Sequence, residues 1–256
     1  MNQYTFGDTD LAAHRLKVLS EVFDDLTRPF ILESIKGRPP LAVDLGCGPG
    51  YSTRLLSKQC ERVVGLDDSE HFLSLARRTA SDRESFFLHD VTTVPFPAEA
   101  CDLLFCRLLL THLVEPQSIV SRWASQIRPN GLLLMEEVEW IRTGHGVFST
   151  YLDIIVTMLN SQSHLLYVGP VLDSLEDTEG LKRQSSRVRH LSVPNYRAAT
   201  MFHLNIQTWK NQPFVKENYS ATEIDRLQER LRQLAGKPGP ESDIEWGMRQ
   251  LVFQRR

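Results

Sequence analysis

An acid runs directly into a glycine loop at Asp44-Leu45-Gly46-Cys47-Gly48-Pro49-Gly50. Gly46, Gly48 and Gly50 allow positive φ and close approach of a ligand to the backbone, and Ser52 to Gln59 reads as the first turns of a helix. Two ligand chemistries compete for such a cradle, a dinucleotide and a nucleoside without a diphosphate. A dinucleotide fingerprint starting at Gly46 needs glycine at position 51, where the chain has Tyr51. Pro49 lacks the amide N–H that a pyrophosphate uses, and the carboxylate of Asp44 repels it. Both features suit a ligand bearing an ammonium and a sulfonium.

The elements that must position this loop follow from the hydrophobic rhythm. Leu41-Ala42-Val43 reads as a buried strand entered from Arg38-Pro39-Pro40. Strands at 41–45, 62–66, 85–89, 101–106 and 131–138 then alternate with helices at 51–59, 69–80 and 116–127. That alternation predicts an α/β fold with a parallel sheet covered on both faces. Ligands of such sheets sit beyond the carboxyl ends of the strands, where Asp44, Asp67 and Asp90 would converge. Before the sheet, residues 8–35 read as a helical lead-in capped by Asp8, with Pro29 starting or kinking a second piece. After Trp140 the spacing predicts helices at 147–166, 195–211 and 221–235, and strands at 181–193 and 244–254.

The loop resembles the first motif of the class I, Rossmann-like S-adenosylmethionine (SAM) dependent methyltransferases. Val63-Val64-Gly65-Leu66-Asp67-Asp68-Ser69 resembles that family's second strand with its terminal acid. Further similar pieces are Asp90-Val91 before Pro95-Phe96-Pro97, Cys101 to Arg107, and Arg128-Pro129-Asn130-Gly131-Leu132-Leu133-Leu134. Together they cover residues 38 to 140 in the family's order. The resemblance implies a doubly wound, mostly parallel seven-stranded Rossmann-like sheet with a helical cap over the carboxyl ends of the strands. It divides the chain into an N-terminal helical lid segment at 1–37 and a SAM-binding core at 38–256, with cap insertions at about 141–180 and 195–236. SAM would be the cofactor and S-adenosylhomocysteine its product.

The same resemblance distributes roles. Gly46, Cys47 and Gly48 line the cofactor, and Asp44 meets the methionine ammonium, fixes the loop, or does both. Asp67, with Asp68 beside it, would accept the ribose hydroxyls, and Asp90 and Val91 would recognise adenine. Arg107 either binds the amino-acid carboxylate or an acidic substrate, or forms a structural ion pair. Tyr4 would close on the methionine moiety and Arg15 would steady it. Methyl transfer is an in-line displacement that needs alignment and exclusion of water, and a base only if the acceptor arrives protonated. His112 is the candidate base; His14, His145, His164 and His203 are weaker candidates. Glu136, Glu137 and Glu139 could receive a cationic acceptor or orient a hydroxyl, with Glu137 and Glu139 on one face of the strand and Glu136 on the other.

Composition narrows the partners. The net charge of −3, with both signs interspersed, offers no field for nucleic acid, so RNA or DNA partners are disfavoured. The basic stretch Lys182, Arg183, Arg187, Arg189 and His190 lacks interleaved aromatics and reads as a solvated strand edge. No metal site is expected, and the four cysteines read as buried reduced thiols in a cytoplasmic protein without a membrane span. The expected acceptor is a small metabolite of natural-product or quinone type, methylated at oxygen, nitrogen or carbon. The alternatives are a protein or RNA methyltransferase with an open basic cleft, and a SAM-binding regulator without turnover.

Overall fold

The computed structural model describes residues 9–177 and 180–256. Its strands are β1 (Leu41–Leu45), β2 (Arg62–Asp67), β3 (Glu84–Leu88), β4 (Cys101–Arg107), β5 (Ile127–Thr143), β6 (Leu181–Val193) and β7 (Ile244–Arg255). They form a seven-stranded sheet in the order β3-β2-β1-β4-β5-β7-β6. The strands from β1 to β5 pair in parallel, while β7 runs antiparallel to both β5 and β6. Every residue of β1 is buried, as a central parallel strand covered on both faces requires. The strand order reverses between β1 and β4, so the crevice beyond their carboxyl ends lies at the topological switch point.

The helices are α1 (Asp10–Ser34), α2 (Tyr51–Ser57), α3 (Glu70–Arg77), α4 (Pro116–Trp123), α5 (Gly146–Ser161), α6 (Gly169–Asp173), α7 (Asn195–Trp209), α8 (Pro213–Asn218) and α9 (Ala221–Ala235). Most are shorter than their hydrophobic pattern predicts, and α6 and α8 were not expected. Each of those two begins with a proline in its first turn. The α9 helix starts with a full capping box between Ser220 and Glu223. Helices α5, α7 and α9 share one apolar core that includes Phe148, Tyr151, Met158, Phe202 and Trp209. No helix among the described residues is long and apolar enough to cross a membrane. All four cysteines are buried and unpaired with one another.

Two expectations about element boundaries change. The α1 helix runs unbroken through Pro29, and its cap is Thr9, whose side chain accepts from the Ala12 N–H at 3.3 Å, rather than Asp8. An interior proline is unfavourable for a helix, but Phe23, Thr27, Phe30 and Ile31 on either side of it are all buried against the sheet and cap. The β5 strand begins at Ile127, not 131. Its turn-like Pro129-Asn130-Gly131 is carried as an irregularity, with Cys101 opposite Ile127 and Leu103 already opposite Leu132, and with Asn130 at φ 66°.

The α1 helix touches every part of the site. Leu16, Ala12 and Ala13 at its start pack on Phe72 of α3, Val22 and Phe23 join the cap core, and Phe30 and Ile31 lie on Ala42, Phe105 and Leu134 of the sheet. Between these apolar patches runs a buried polar seam. Arg107 at the end of β4 donates to Asp24 at 2.9 Å, Thr27 at 2.8 Å and Ser20 at 3.2 Å. Thr27 also donates to Glu136 of β5, and Gln250 of β7 donates to the other Glu136 oxygen at 2.5 Å. Burial pushes the Glu136 carboxyl up, and the Arg107 charge is the largest influence holding it down.

The ends of the seam differ in exposure. The Arg107 side chain is 6% exposed, whereas Arg187, paired with Glu33 at 2.6 Å on the β6 edge, is 35% exposed. Replacing Arg107 with Met leaves Asp24 and Glu136 without their cation and should cost about 3–5 kcal/mol in urea unfolding. The same change at Arg187 should cost less than about 1 kcal/mol. Equal effects would show that the seam contributes no more than a surface ion pair.

Candidate active site

The loop after β1 is built to hold an acid and a ligand together. Gly46 has φ 62°, and a Cβ there would come 2.7 Å from Leu109 Cδ1, so a larger residue would adopt a strained backbone and push that side chain aside. Gly48 has φ 51°, with Leu16 of α1 reaching 3.5 Å from the position of a Cβ. Leu109 and Leu16 thus form the roof of the loop. The chain leaves β4 through Leu108 in the left-handed region, φ 55°, and so turns Leu109 onto Gly46.

Asp44 is 1% exposed. Its Oδ2 accepts from Ser52 at 2.7 Å and Thr53 at 2.6 Å, which ties β1 to the start of α2, while its Oδ1 has no partner. Burial raises the carboxyl from its ordinary 3.8 to about 6, against the two hydroxyls and the charges of Arg107 and Arg54. Both readings of Asp44 therefore have a structural counterpart, one oxygen on the loop and one open to a donor. Ser52 and Thr53 were not singled out in the sequence, although two hydroxyls directly after a buried acid are a readable signal.

Asp67 ends β2, is 8% exposed, and accepts from the Gly48 N–H at 2.8 Å and the Ser69 N–H at 2.9 Å. It fixes the loop as well as facing it, and burial raises it to about 6. Asp68 beside it is exposed. Gly65 in β2 leaves room for Cys47, whose Sγ would stand 2.8 Å from an added Cβ. Asp90 is exposed and closes a turn by accepting from the Thr92 N–H at 2.8 Å and the Thr92 hydroxyl at 2.7 Å. Val91 is buried, and its carbonyl accepts from the Trp123 indole at 2.8 Å.

The remaining candidates separate. Arg107 is the structural ion pair of the seam. The three acids after β5 do not act as a group: Glu136 belongs to the seam, Glu139 takes Arg249 through both oxygens at 2.6 and 2.9 Å, and Glu137 faces away from Glu136. Glu137 Oε1 accepts from the Leu109 and Leu110 N–H groups at 2.8 and 2.9 Å, and Oε2 has no partner. It thereby holds the short 3₁₀ turn at Leu110–His112. His112 is half-buried, and burial with the nearby charges of Arg15 and His164 lowers it to about 3. It is a neutral, weak proton acceptor, which argues against the general-base role. Arg15 is 5% exposed on α1. Tyr4 lies outside the described residues. His14 lies on α1 and His203 on α7, and His145 caps α5, its Nδ1 accepting from the Val147 N–H at 3.3 Å.

Burial raises Glu137 from its ordinary 4.5 to about 8. A carboxyl whose folded pKa is raised stabilises most below its unfolded value, and that contribution is lost as pH climbs through the folded one. The thermal midpoint of Glu137→Gln should therefore gain on the wild type from about pH 5 to pH 8 and keep a constant lead above that. Parallel curves in the two proteins would show that Glu137 titrates normally.

Comparison with known proteins agrees with this geometry. Residues 43–135 match a family described as a methyltransferase domain. The trans-aconitate 2-methyltransferase of Variovorax paradoxus is 33% identical over 120 residues, covering 44% of this chain and 45% of that protein. The ubiquinone biosynthesis O-methyltransferase of Coxiella burnetii is 29% identical over 108 residues, 41% of this chain and 45% of that protein. The chain thus spans about half the length of the curated relatives it matches. An N-methyltransferase from Haemonchus contortus, solved with phosphomonomethylethanolamine and S-adenosylhomocysteine, superposes with a TM-score of 0.53 at 16% identity, covering 94% of this chain and 52% of that one. At that identity the likeness is one of fold. With the ordered motifs, the switch-point loop and the sheet order in agreement, residues 43–135 of this chain form a methyltransferase domain within a Rossmann-like sheet.

Proposed function

We propose that this protein transfers a methyl group from SAM to a small-molecule acceptor. The observation that carries the proposal is the unpartnered Oδ1 of Asp44, a buried acceptor beside a positive-φ glycine loop. When bound, SAM supplies a methyl carbon on a sulfonium. Asp44 Oδ1 would take the methionine ammonium, Gly46, Cys47 and Gly48 the backbone contacts, and Asp67 the ribose hydroxyls. Asp67 can do so while holding Gly48 and Ser69, because each carboxylate oxygen has two lone pairs. Asp90 and Val91 border the place proposed for adenine.

The protein's own contribution is alignment and dryness. Leu16 and Leu109 roof the loop and exclude water, and Glu137 fixes the turn that brings Leu109 there. A small acceptor is supported by the helical cap over this end of the sheet and by the two curated relatives, one named for trans-aconitate and one for ubiquinone biosynthesis. His112 would shape the pocket rather than take a proton.

Three measurements test the reading. Calorimetry should show S-adenosylhomocysteine binding to the wild type and a loss of about 10- to 100-fold in Asp44→Ala and Asp67→Ala, as expected for hydrogen bonds to a charged group. Unchanged affinity in Asp67→Ala would remove the ribose assignment. Labelled SAM with a metabolite extract should yield a labelled small product rather than labelled protein or RNA. Once an acceptor is in hand, kcat should show no inflection near pH 6.5; a step there abolished by His112→Ala would restore the base.

A further inference from the structure

One carboxylate oxygen at the edge of the crevice has a fixed place in the fold and no partner. Glu137 is 0% exposed, and its Oε1 accepts from the Leu109 and Leu110 N–H groups at 2.8 and 2.9 Å. The Thr111 N–H adds to their pull on the carboxyl, yet Oε2 accepts no hydrogen bond. Holding the turn needs one oxygen only, and a neutral glutamine carbonyl would supply it without a charge to desolvate. Native interiors seldom leave such an atom unmet, so the open oxygen points to a ligand.

Strand register places that oxygen near the seat of the methyl donor. Leu45 of β1, Cys106 of β4 and Met135 of β5 stand side by side across the sheet. Gly46 directly follows the first, and Glu137 follows the last by two residues on the same strand face. Only β4 lies between, so the two backbones are about 10 Å apart, a span that a methyl on the loop and a one-ring acceptor fill together. Leu109 links the two ends, since its N–H meets Glu137 and its side chain covers Gly46. Glu139 is taken by Arg249 and Glu136 by Thr27 and Gln250, so Glu137 is the acid of β5 with an oxygen to offer.

Charge selects what this oxygen takes. A sulfonium on the loop brings a positive charge into a desolvated crevice, and an ionised Glu137 balances it. A cationic amine has no lone pair for the methyl and adds a second positive charge, while a carboxylate acceptor sets two anions against each other at Oε2. A neutral hydroxyl avoids both, and a phenol gives up its proton far more readily than an aliphatic alcohol.

Resting on the methyltransferase reading above, we propose that Glu137 is the general base of the reaction, its Oε2 receiving the proton of a phenolic hydroxyl on the acceptor. The phenol oxygen attacks the methyl carbon, the carbon–sulfur bond breaks with its electron pair going to sulfur, and the proton passes to Oε2. The products are a methyl ether, a neutral thioether and a neutral carboxyl. Burial raises Glu137 to about 8, within reach of an ordinary phenol at about 10, so the proton transfer is well matched. The titratable groups around it do not compete: the Glu136 charge raises Glu137 further, the Cys106 thiol of β4 is pushed far up by burial, and His112 is lowered to about 3.

The test uses the full chain saturated with S-adenosylhomocysteine and titrated with phenol, catechol and 1-naphthol, with their methyl ethers and with benzoate. At least one phenol should bind about tenfold tighter than its ether, and benzoate should not bind. Glu137→Gln sets an amide where Oε2 stands and should weaken that phenol about 10- to 100-fold while keeping S-adenosylhomocysteine affinity, which also reports that it folds. With labelled SAM, kcat/KM for the same phenol should rise about tenfold per pH unit and level off near pH 8. In Glu137→Gln kcat should fall about 10²- to 10⁴-fold and that rise should vanish. The same pH rise in both proteins, equal binding of phenol and ether, binding of benzoate, or no phenol that is both bound and methylated overturns the base. Loss of S-adenosylhomocysteine binding in Glu137→Gln confines Glu137 to holding the loop and overturns it too. If the wild type itself fails to bind S-adenosylhomocysteine, the methyltransferase reading falls first and the base with it.

Discussion

Arg107 is the charge that allows a 25-residue helix to lie across the end of the sheet. Without it, Asp24 and Glu136 would be two acids brought together in an interior that favours neither. With it, Ser20, Asp24 and Thr27 on one face of α1 become a row of partners for β4, and Gln250 extends the row to β7. A buried network of this kind adds little net stability over an apolar contact of the same shape, but it permits only one register of helix on sheet. That register places Leu16 on Gly48. Loop roof and sheet both depend on the same seam.

The acids of the crevice share a second constraint. Asp44 and Asp67 are both raised to about 6 and Glu137 to about 8, in each case chiefly by burial. Each is nonetheless held by short contacts, hydroxyls for Asp44 and backbone N–H groups for Asp67 and Glu137. The fold therefore spends stability to keep carboxyls at the carboxyl ends of β1, β2 and β5. Structural need does not explain an Asp44 oxygen left open, because an asparagine or a serine could close the loop without the desolvation. A cationic ligand does explain it, since its charge offsets the cost of ionising that oxygen in the interior.

Much of the framework was legible because it is local. Strands β1, β2 and β4 are short apolar runs bounded by glycine, proline or an acid, and their ends fall within a residue of the predicted ones. The glycine loop and Asp67 were legible for the same reason, as contiguous patterns. What escaped is non-local. Pro29 and Pro129-Asn130-Gly131 carry strong breaker signals, and in each case burial of the flanking residues prevailed over them. The partners of Arg107 lie 80 or more residues away in sequence, so nothing near it separated ion pair from ligand site.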